Sequence, residues 1–126
     1  MTVIINSVLD KLIDLEADAR EFGFDWPNSA MIIDQTIDEC REIKEAIEKN
    51  EGDDRIQEEI GDLLHAAISL CIFMDFDVHE TLEKVSDKFK TRMQAMKTLT
   101  QASGLQNLQG QSIEFMLTLW QKAKLK

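Results

Sequence analysis

Apolar residues recur at intervals of three and four along almost the whole chain, the spacing that gives an α-helix one apolar face. Only one proline and five glycines interrupt this pattern. No stretch alternates apolar and polar residues as a half-buried strand would. The sequence therefore predicts an all-α protein, an antiparallel bundle of four to five helices that forms a single domain over residues 1–126.

Five helices are predicted. The first covers about residues 3–22, the second runs to about residue 49, and a short turn leads into the third; the last covers about 112–124. The expected helix starts are Asn28 or Ser29, Asp54 with Gln57, Asp77 with Glu80, and Ser112. Residues from about 99 to 111 are rich in Gln, Ser, Gly and Asn and are predicted to form a loop.

The helical stripes predict which side chains are buried. On the second helix these are Ile33, Ile37, Cys40, Ile43 and Ile47. On the third they are Ile56, Ile60, Leu63, Ala67, Leu70 and Met74, and on the fourth Val78, Leu82, Val85, Phe89, Met93 and Met96. Cys40 and Cys71 lie in apolar stretches without the spacing of a metal knuckle or a redox pair, so both are expected to be reduced core residues.

The charge balance excludes some classes of partner. The chain has 24 acidic and 14 basic residues and a net charge of −10, which disfavours nucleic-acid polymers and anionic membranes. No apolar run approaches the roughly 20 residues that span a bilayer, and no secretion signal is expected at the N-terminus. We expect a soluble, cytoplasmic protein.

Four acidic residues form two pairs at helical spacing. Glu39 and Glu42 on the second helix, and Glu59 and Asp62 on the third, are each three positions apart, so each pair shares a helix face. Across an antiparallel hairpin the two pairs differ in height by roughly 3 Å. Four converging carboxylates would suit a hard cation such as Mg²⁺ or Mn²⁺. The alternative is that these four residues are ordinary solvated acids on two acidic helices. His65 and His79 are expected to be structural or exposed.

Several segments, in order, resemble the MazG-type nucleotide pyrophosphohydrolases within the all-α NTP pyrophosphatases. Residues 38–42 (DECRE) and 59–62 (EIGD) resemble the family's acidic motifs, and residues 88–92 (KFKTR), 120–124 (WQKAK) and 25–27 (DWP) resemble its later basic, C-terminal and entry segments. Asp38 departs from the family pattern, because a Glu is usual there.

The resemblance implies a Mg²⁺-dependent enzyme, with Mn²⁺ as a possible substitute, that converts a (d)NTP to (d)NMP and pyrophosphate. The metal ligands and catalytic residues would be Glu39, Glu42, Glu59 and Asp62. Substrate-binding roles fall to Lys88 and Arg92 for phosphates, to Lys124 for phosphate or the base edge, and to Trp120 and Trp26 for the nucleoside. For Lys88 and Arg92 the alternative is a basic edge paired with surface acids, and for both tryptophans it is core packing.

The resemblance also implies a homodimer or a dimer of dimers. Two other functions stay open: a non-catalytic acidic helical dimer that acts as an interaction module, and a dUTPase-like or phosphoribosyl-nucleotide pyrophosphohydrolase built on a related helical core.

Overall fold

The computed structural model describes residues 7–125 and contains five α-helices. They are α1 (Val8–Phe22), α2 (Ser29–Glu48), α3 (Asp53–Phe73), α4 (Val78–Ala102) and α5 (Ile113–Lys124). Within residues 7–125 there is no strand. The predicted all-α class and the number of helices are therefore confirmed; residues 3–6 of the predicted first helix lie outside the described residues.

Side-chain caps fix the starts of three helices. Ser7, Asn28 and Ser112 each accept a backbone N–H three residues further on, which satisfies a donor that the first helical turn leaves without a partner. The predicted caps Asn28 and Ser112 are confirmed. The capping box predicted at Asp54 is wrong, because α3 begins one residue earlier, after Gly52, and has no side-chain cap. Gly52 adopts a φ of 102°, which a residue with a side chain would reach only with strain.

Helices α2 and α3 form a hairpin whose contact face differs from the predicted one. Its buried residues are Ile32, Glu39 and Ala46 on α2 and Glu59, Ala66 and Ser69 on α3. Most of these follow a seven-residue repeat, which is typical of two long helices packed side by side. The predicted burial of the apolar stripes on α2 and α3 is mostly wrong. Seven of the residues predicted to be buried are exposed in this chain: Ile33, Ile37, Cys40, Ile47, Ile60, Ala67 and Met74.

The chain divides into two compact units, one ending at Val78 and the other beginning at His79. The core of the second unit is formed by Met96 of α4 with Leu119 and Ala123 of α5. The C-terminal helix is thus docked, as predicted. On α4, the predicted burial of Val78 and Met96 is confirmed, but Leu82, Val85 and Phe89 are exposed.

The fourth helix is longer than predicted and the following loop is correspondingly shorter. Helix α4 continues to Ala102, through residues assigned to the loop from the sequence. Thr100 is buried there and its hydroxyl donates to the carbonyl of Met96, so the side chain is satisfied inside the helix. Burial therefore outweighs the weak helical preference of this polar segment. Among residues 7–125, no helix combines the length and apolar character needed to span a bilayer.

Candidate metal and nucleotide site

Two glutamates occupy the contact face between α2 and α3. Glu39 and Glu59 are only 8% and 3% exposed, although glutamate is almost never buried unless it is paired. They alternate along this face with the small residues Ala46 and Ala66, which let the two helices approach closely. Two ionisable groups are thus buried in the hairpin, although an apolar pair at these positions would avoid the free-energy cost of removing carboxylates from water.

A third carboxylate completes the cluster. One oxygen each from Glu39, Glu42 and Glu59 can be chosen so that all lie within 4.8 Å of one another. Glu42 is exposed. The neighbouring carboxyl groups of Glu59 and Glu39 raise the pKa of Glu42 above its ordinary value. The three carboxylates therefore repel one another, and a bound proton or cation would relieve that repulsion.

Each buried glutamate has one bonded and one unbonded oxygen. The side-chain amide of Gln35 donates to Oε1 of Glu39 at 2.7 Å, and Nη2 of Arg55 lies 2.7 Å from Oε1 of Glu59. Oε2 of Glu39 and Oε2 of Glu59 are buried without any hydrogen-bond partner. Because buried acceptors are nearly always satisfied, these two oxygens are suited to bind a cation. An all-oxygen donor set fits a hard divalent cation.

Asp62, the fourth predicted ligand, lies outside this three-carboxylate cluster. It is exposed, and with Glu39 it lines a cavity of about 580 Å³ formed by α1, the connection to α2, and the facing sides of α2 and α3. The structure thus brings three of the four predicted acids together and places the fourth beside them.

The cavity wall is mainly apolar and includes one predicted substrate residue. Leu12, Leu15, Trp26 and Met31 contribute to it. Trp26 is half-buried and faces the same cavity as Glu39 and Asp62. The cavity volume is within the range of small-molecule sites in proteins.

A hydrogen-bonded network at Glu16 lines the same cavity and was not anticipated from the sequence. Oε1 of Glu16 accepts from the Ser69 hydroxyl and from Nε2 of His65, both at 2.6 Å, and Oε2 lies 3.4 Å from Nε of Arg20. Arg20 also contacts Asp25 at 3.2 Å and donates to the backbone carbonyl of Ser69 at 3.1 Å. The only sequence signal was the pair of Glu16 and Arg20, four residues apart beside the apolar stripe of α1.

Opposing effects set the pKa of Glu16. Burial alone would raise it, but the hydrogen bonds from Ser69 and His65 and the charges of His65 and Arg20 together outweigh burial and hold the pKa below its ordinary value. Glu16 therefore carries a stable negative charge. His65, expected to be structural or exposed, has a side chain 48% exposed and takes part in this network.

The predicted substrate residues of the second unit also come together. Lys88, Arg92 and Lys124 line a cavity of about 320 Å³ between α4 and α5. The Arg92 guanidinium lies 5.6 Å from the centre of the Trp120 ring, a cation–π distance. Trp120 is half-buried and also contacts Phe89. Three cationic side chains around one opening favour an anionic ligand.

Comparison with known proteins gives the family of this chain. Residues 28–96 match the model of the MazG nucleotide pyrophosphohydrolase domain, more than half of the chain. The chain belongs to the MazG family. This confirms the resemblance drawn from the sequence motifs. The matched range contains the four predicted ligands together with Lys88 and Arg92, whereas Trp26, Trp120 and Lys124 fall outside it.

Two relatives of known activity are considerably longer than this chain. It is 33% identical over 110 residues to the nucleoside triphosphate pyrophosphohydrolase/pyrophosphatase MazG of Thermotoga maritima, covering 87% of this chain and 41% of that protein. It is 30% identical over 103 residues to the nucleoside triphosphate pyrophosphohydrolase of Escherichia coli K12, covering 81% of this chain and 39% of that protein. The chain thus spans about two fifths of the length of these relatives.

Proposed function

We propose that this protein is a Mg²⁺-dependent nucleoside triphosphate pyrophosphohydrolase that converts a (d)NTP and water to a (d)NMP and pyrophosphate. The observation that supports it most is the pair of unbonded oxygens on the buried Glu39 and Glu59, next to Glu42, within the range that matches the MazG domain. The names of the two MazG relatives support the same chemistry.

In this proposal Glu39, Glu42, Glu59 and Asp62 hold the cation, with Mn²⁺ as a substitute for Mg²⁺. When bound, the cation would neutralise phosphate charge and lower the pKa of a bound water. The chain's own contribution is a rigid set of oxygen ligands on two helices. Asp62, facing the cavity, extends this set toward the substrate.

The two cavities differ in charge, so each suits a different chemical group. The cavity beside Glu39 has acidic groups in its wall, and its one arginine, Arg20, is already engaged by Glu16 and Asp25, so it favours an uncharged base and disfavours phosphate. Trp26 would contact that base. Lys88 and Arg92 would bind phosphate oxygens, the arginine through its planar fork. In the second unit Trp120 would stack on a base or a ribose, and Lys124 would contact phosphate or the edge of a base.

A homodimer, or a dimer of dimers, is part of the proposal. Exposed apolar residues continue along both helices of the hairpin, among them Ile33, Ile37, Ile60 and Leu64. Contiguous exposed apolar surface of this kind is typical of protein interfaces. Light scattering after size exclusion tests this, with Ile37→Glu expected to give a monomer and Val8→Glu, on α1, expected to leave the assembly unchanged.

The experiment that tests the proposed activity is a panel of the eight common ribo- and deoxyribonucleoside triphosphates, each with Mg²⁺ or Mn²⁺, with products followed by ³¹P NMR. We expect monophosphate and pyrophosphate in the cytoplasmic range of pH. The Glu59→Gln variant should be inactive, whereas Glu48→Gln, an exposed acid outside the cluster, should retain activity.

Adding dUTP and a phosphoribosyl nucleotide to the same panel separates the alternatives. Turnover of dUTP alone would favour a dUTPase-like enzyme, and turnover of phosphoribosyl nucleotides alone would favour that related class. A folded protein that hydrolyses none of these compounds with either metal would contradict the enzyme and favour a non-catalytic interaction module.

A further inference from the structure

The same local arrangement occurs on both helices of the hairpin. Four residues before each buried glutamate, on the preceding helical turn, stands a side chain that contacts its Oε1: Gln35 for Glu39 and Arg55 for Glu59. Both contacts are 2.7 Å long. On each helix the other oxygen, Oε2, is the buried atom without a partner.

We propose that Gln35 and Arg55 are positioning residues that hold one oxygen of each buried glutamate so that the other is presented to the cation. This inference rests on the cation site of the proposed function. The last torsion of a glutamate side chain is broad, so the carboxylate is not oriented by its rotamer alone. A fixed donor on one oxygen removes that freedom and sets the direction of the second oxygen.

The two positioning residues differ in charge. Gln35 is neutral and leaves the full negative charge on Glu39. Arg55 brings a positive charge next to the three-carboxylate cluster and also lies 3.7 Å from both Glu51 and Glu58. Arg55 therefore reduces the repulsion among the clustered carboxylates while leaving Oε2 of Glu59 available.

Their surroundings favour a role at the site over a role in packing. The Arg55 side chain is 55% exposed, so it contributes little to a core. Gln35 is half-buried and lines the cavity that Glu39 and Asp62 also line. Gln35 thus lines the cavity and at the same time donates one hydrogen bond to the Glu39 carboxylate. A bound nucleotide that contacted Gln35 would act on the orientation of Glu39.

The competing explanation is that each is only a helix-stabilising pair four residues apart. Such a pair affects helix stability but not cation affinity. Residues that orient metal ligands, in contrast, typically change metal affinity 10- to 100-fold when they are replaced. The two explanations are therefore separated by cation binding measured independently of activity.

The test is Mn²⁺ binding to the purified full-length protein, followed by electron paramagnetic resonance. Gln35→Met and Arg55→Met keep side-chain length but remove the donor, and each should weaken binding about 10- to 100-fold. Arg55→Lys, which keeps a cationic donor, should restore part of the affinity. Arg41→Met is the matched control, because Arg41 pairs with Asp38 on the exposed side of α2, and its affinity should stay within about twofold of the wild type.

Circular dichroism of each variant in EDTA verifies that the helices are intact. Unchanged Mn²⁺ affinity in both methionine variants would overturn the inference and leave the proposed hydrolase standing. Weaker Mn²⁺ binding in the two methionine variants, with Arg41→Met unchanged, supports the inference even if the wild type fails to hydrolyse any nucleotide. Absence of Mn²⁺ binding by the wild type would overturn the inference together with the cation site.

Discussion

Replacing Glu39 with glutamine should stabilise the metal-free protein, although it alters a buried residue. The amide oxygen of the new side chain would take the place of Oε1 and keep the hydrogen bond from Gln35. The amide NH₂ would take the place of the buried, unbonded Oε2, which puts a donor on a side chain that clusters with the carboxylates of Glu42 and Glu59. One unfavourable charge is thus exchanged for a hydrogen-bond donor at the same position.

The size of the effect follows from the geometry of the two buried carboxylates. Their oxygens lie within 4.8 Å of each other. At an effective dielectric constant of about 20, two unit charges at that distance repel by about 3.5 kcal/mol. Arg55 offsets part of the charge on Glu59. We therefore expect Glu39→Gln to raise the free energy of unfolding by about 1–3 kcal/mol in the absence of metal.

Urea denaturation followed by circular dichroism, in EDTA and again with excess Mg²⁺, measures this difference. The wild type should gain stability with Mg²⁺, because a ligand that binds only the folded state stabilises it, and Glu39→Gln should lose most of that gain. Glu48→Gln, an exposed acid on the same helix, should change stability by no more than a few tenths of a kcal/mol. A Glu39→Gln protein that is less stable than the wild type in EDTA and still responds fully to Mg²⁺ would refute the reasoning.

Three further predictions concern the caps, the Glu16 network and the basic cavity. Asn28→Ala should lower the free energy of unfolding by about 1 kcal/mol, because the N–H of Met31 loses its acceptor; an unchanged urea midpoint would contradict the capping role. The pKa of Glu16 is lowered on folding, so its contribution to stability is present above its ordinary value of 4.5 and is lost as the pH falls through the folded pKa. Urea midpoints between pH 7 and pH 3 should therefore fall less steeply for Glu16→Gln than for the wild type, and parallel curves would count against the network. Lys88→Gln and Arg92→Gln should each raise the KM for a nucleoside triphosphate about 10- to 100-fold, since each loses a charge-assisted hydrogen bond; steady-state kinetics with unchanged KM would exclude a phosphate-binding role.

The sequence was sufficient for the helices, most of their starts and the proximity of Glu39, Glu42 and Glu59, because these depend on local periodicity and on residues a few positions apart. Asn28 and Ser112 are caps by their own chemistry, and the short turn after α2 makes the hairpin antiparallel. The distances of Glu39 and Glu59 from that turn then place them at nearly the same level.

The contact face of the hairpin could not be predicted in the same way. An apolar stripe such as Ile33, Ile37 and Ile47 shows that some surface is available for packing but not which surface meets the neighbouring helix. The face that α3 covers instead contains Glu39 and Ala46. A glutamate is ordinarily assigned to the solvent side, so its burial within this face was recognisable only from the structure.

The Glu16 network was missed because its members are far apart in the chain. Glu16 meets His65 and Ser69 across 49 and 53 residues, and no local pattern connects them. The end of α4 was misplaced for a related reason, since Thr100 is held in the helix by burial that depends on the tertiary structure. Contacts of this kind override local preference.

The location of bound Mn²⁺ tests the cation site most directly. An anomalous-scattering map from crystals grown with Mn²⁺ should show density between α2 and α3, within about 2.3 Å of carboxylate oxygens from Glu39, Glu42 and Glu59. Density only at other carboxylates, with Oε2 of Glu39 and Oε2 of Glu59 bonded to protein groups, would contradict the account.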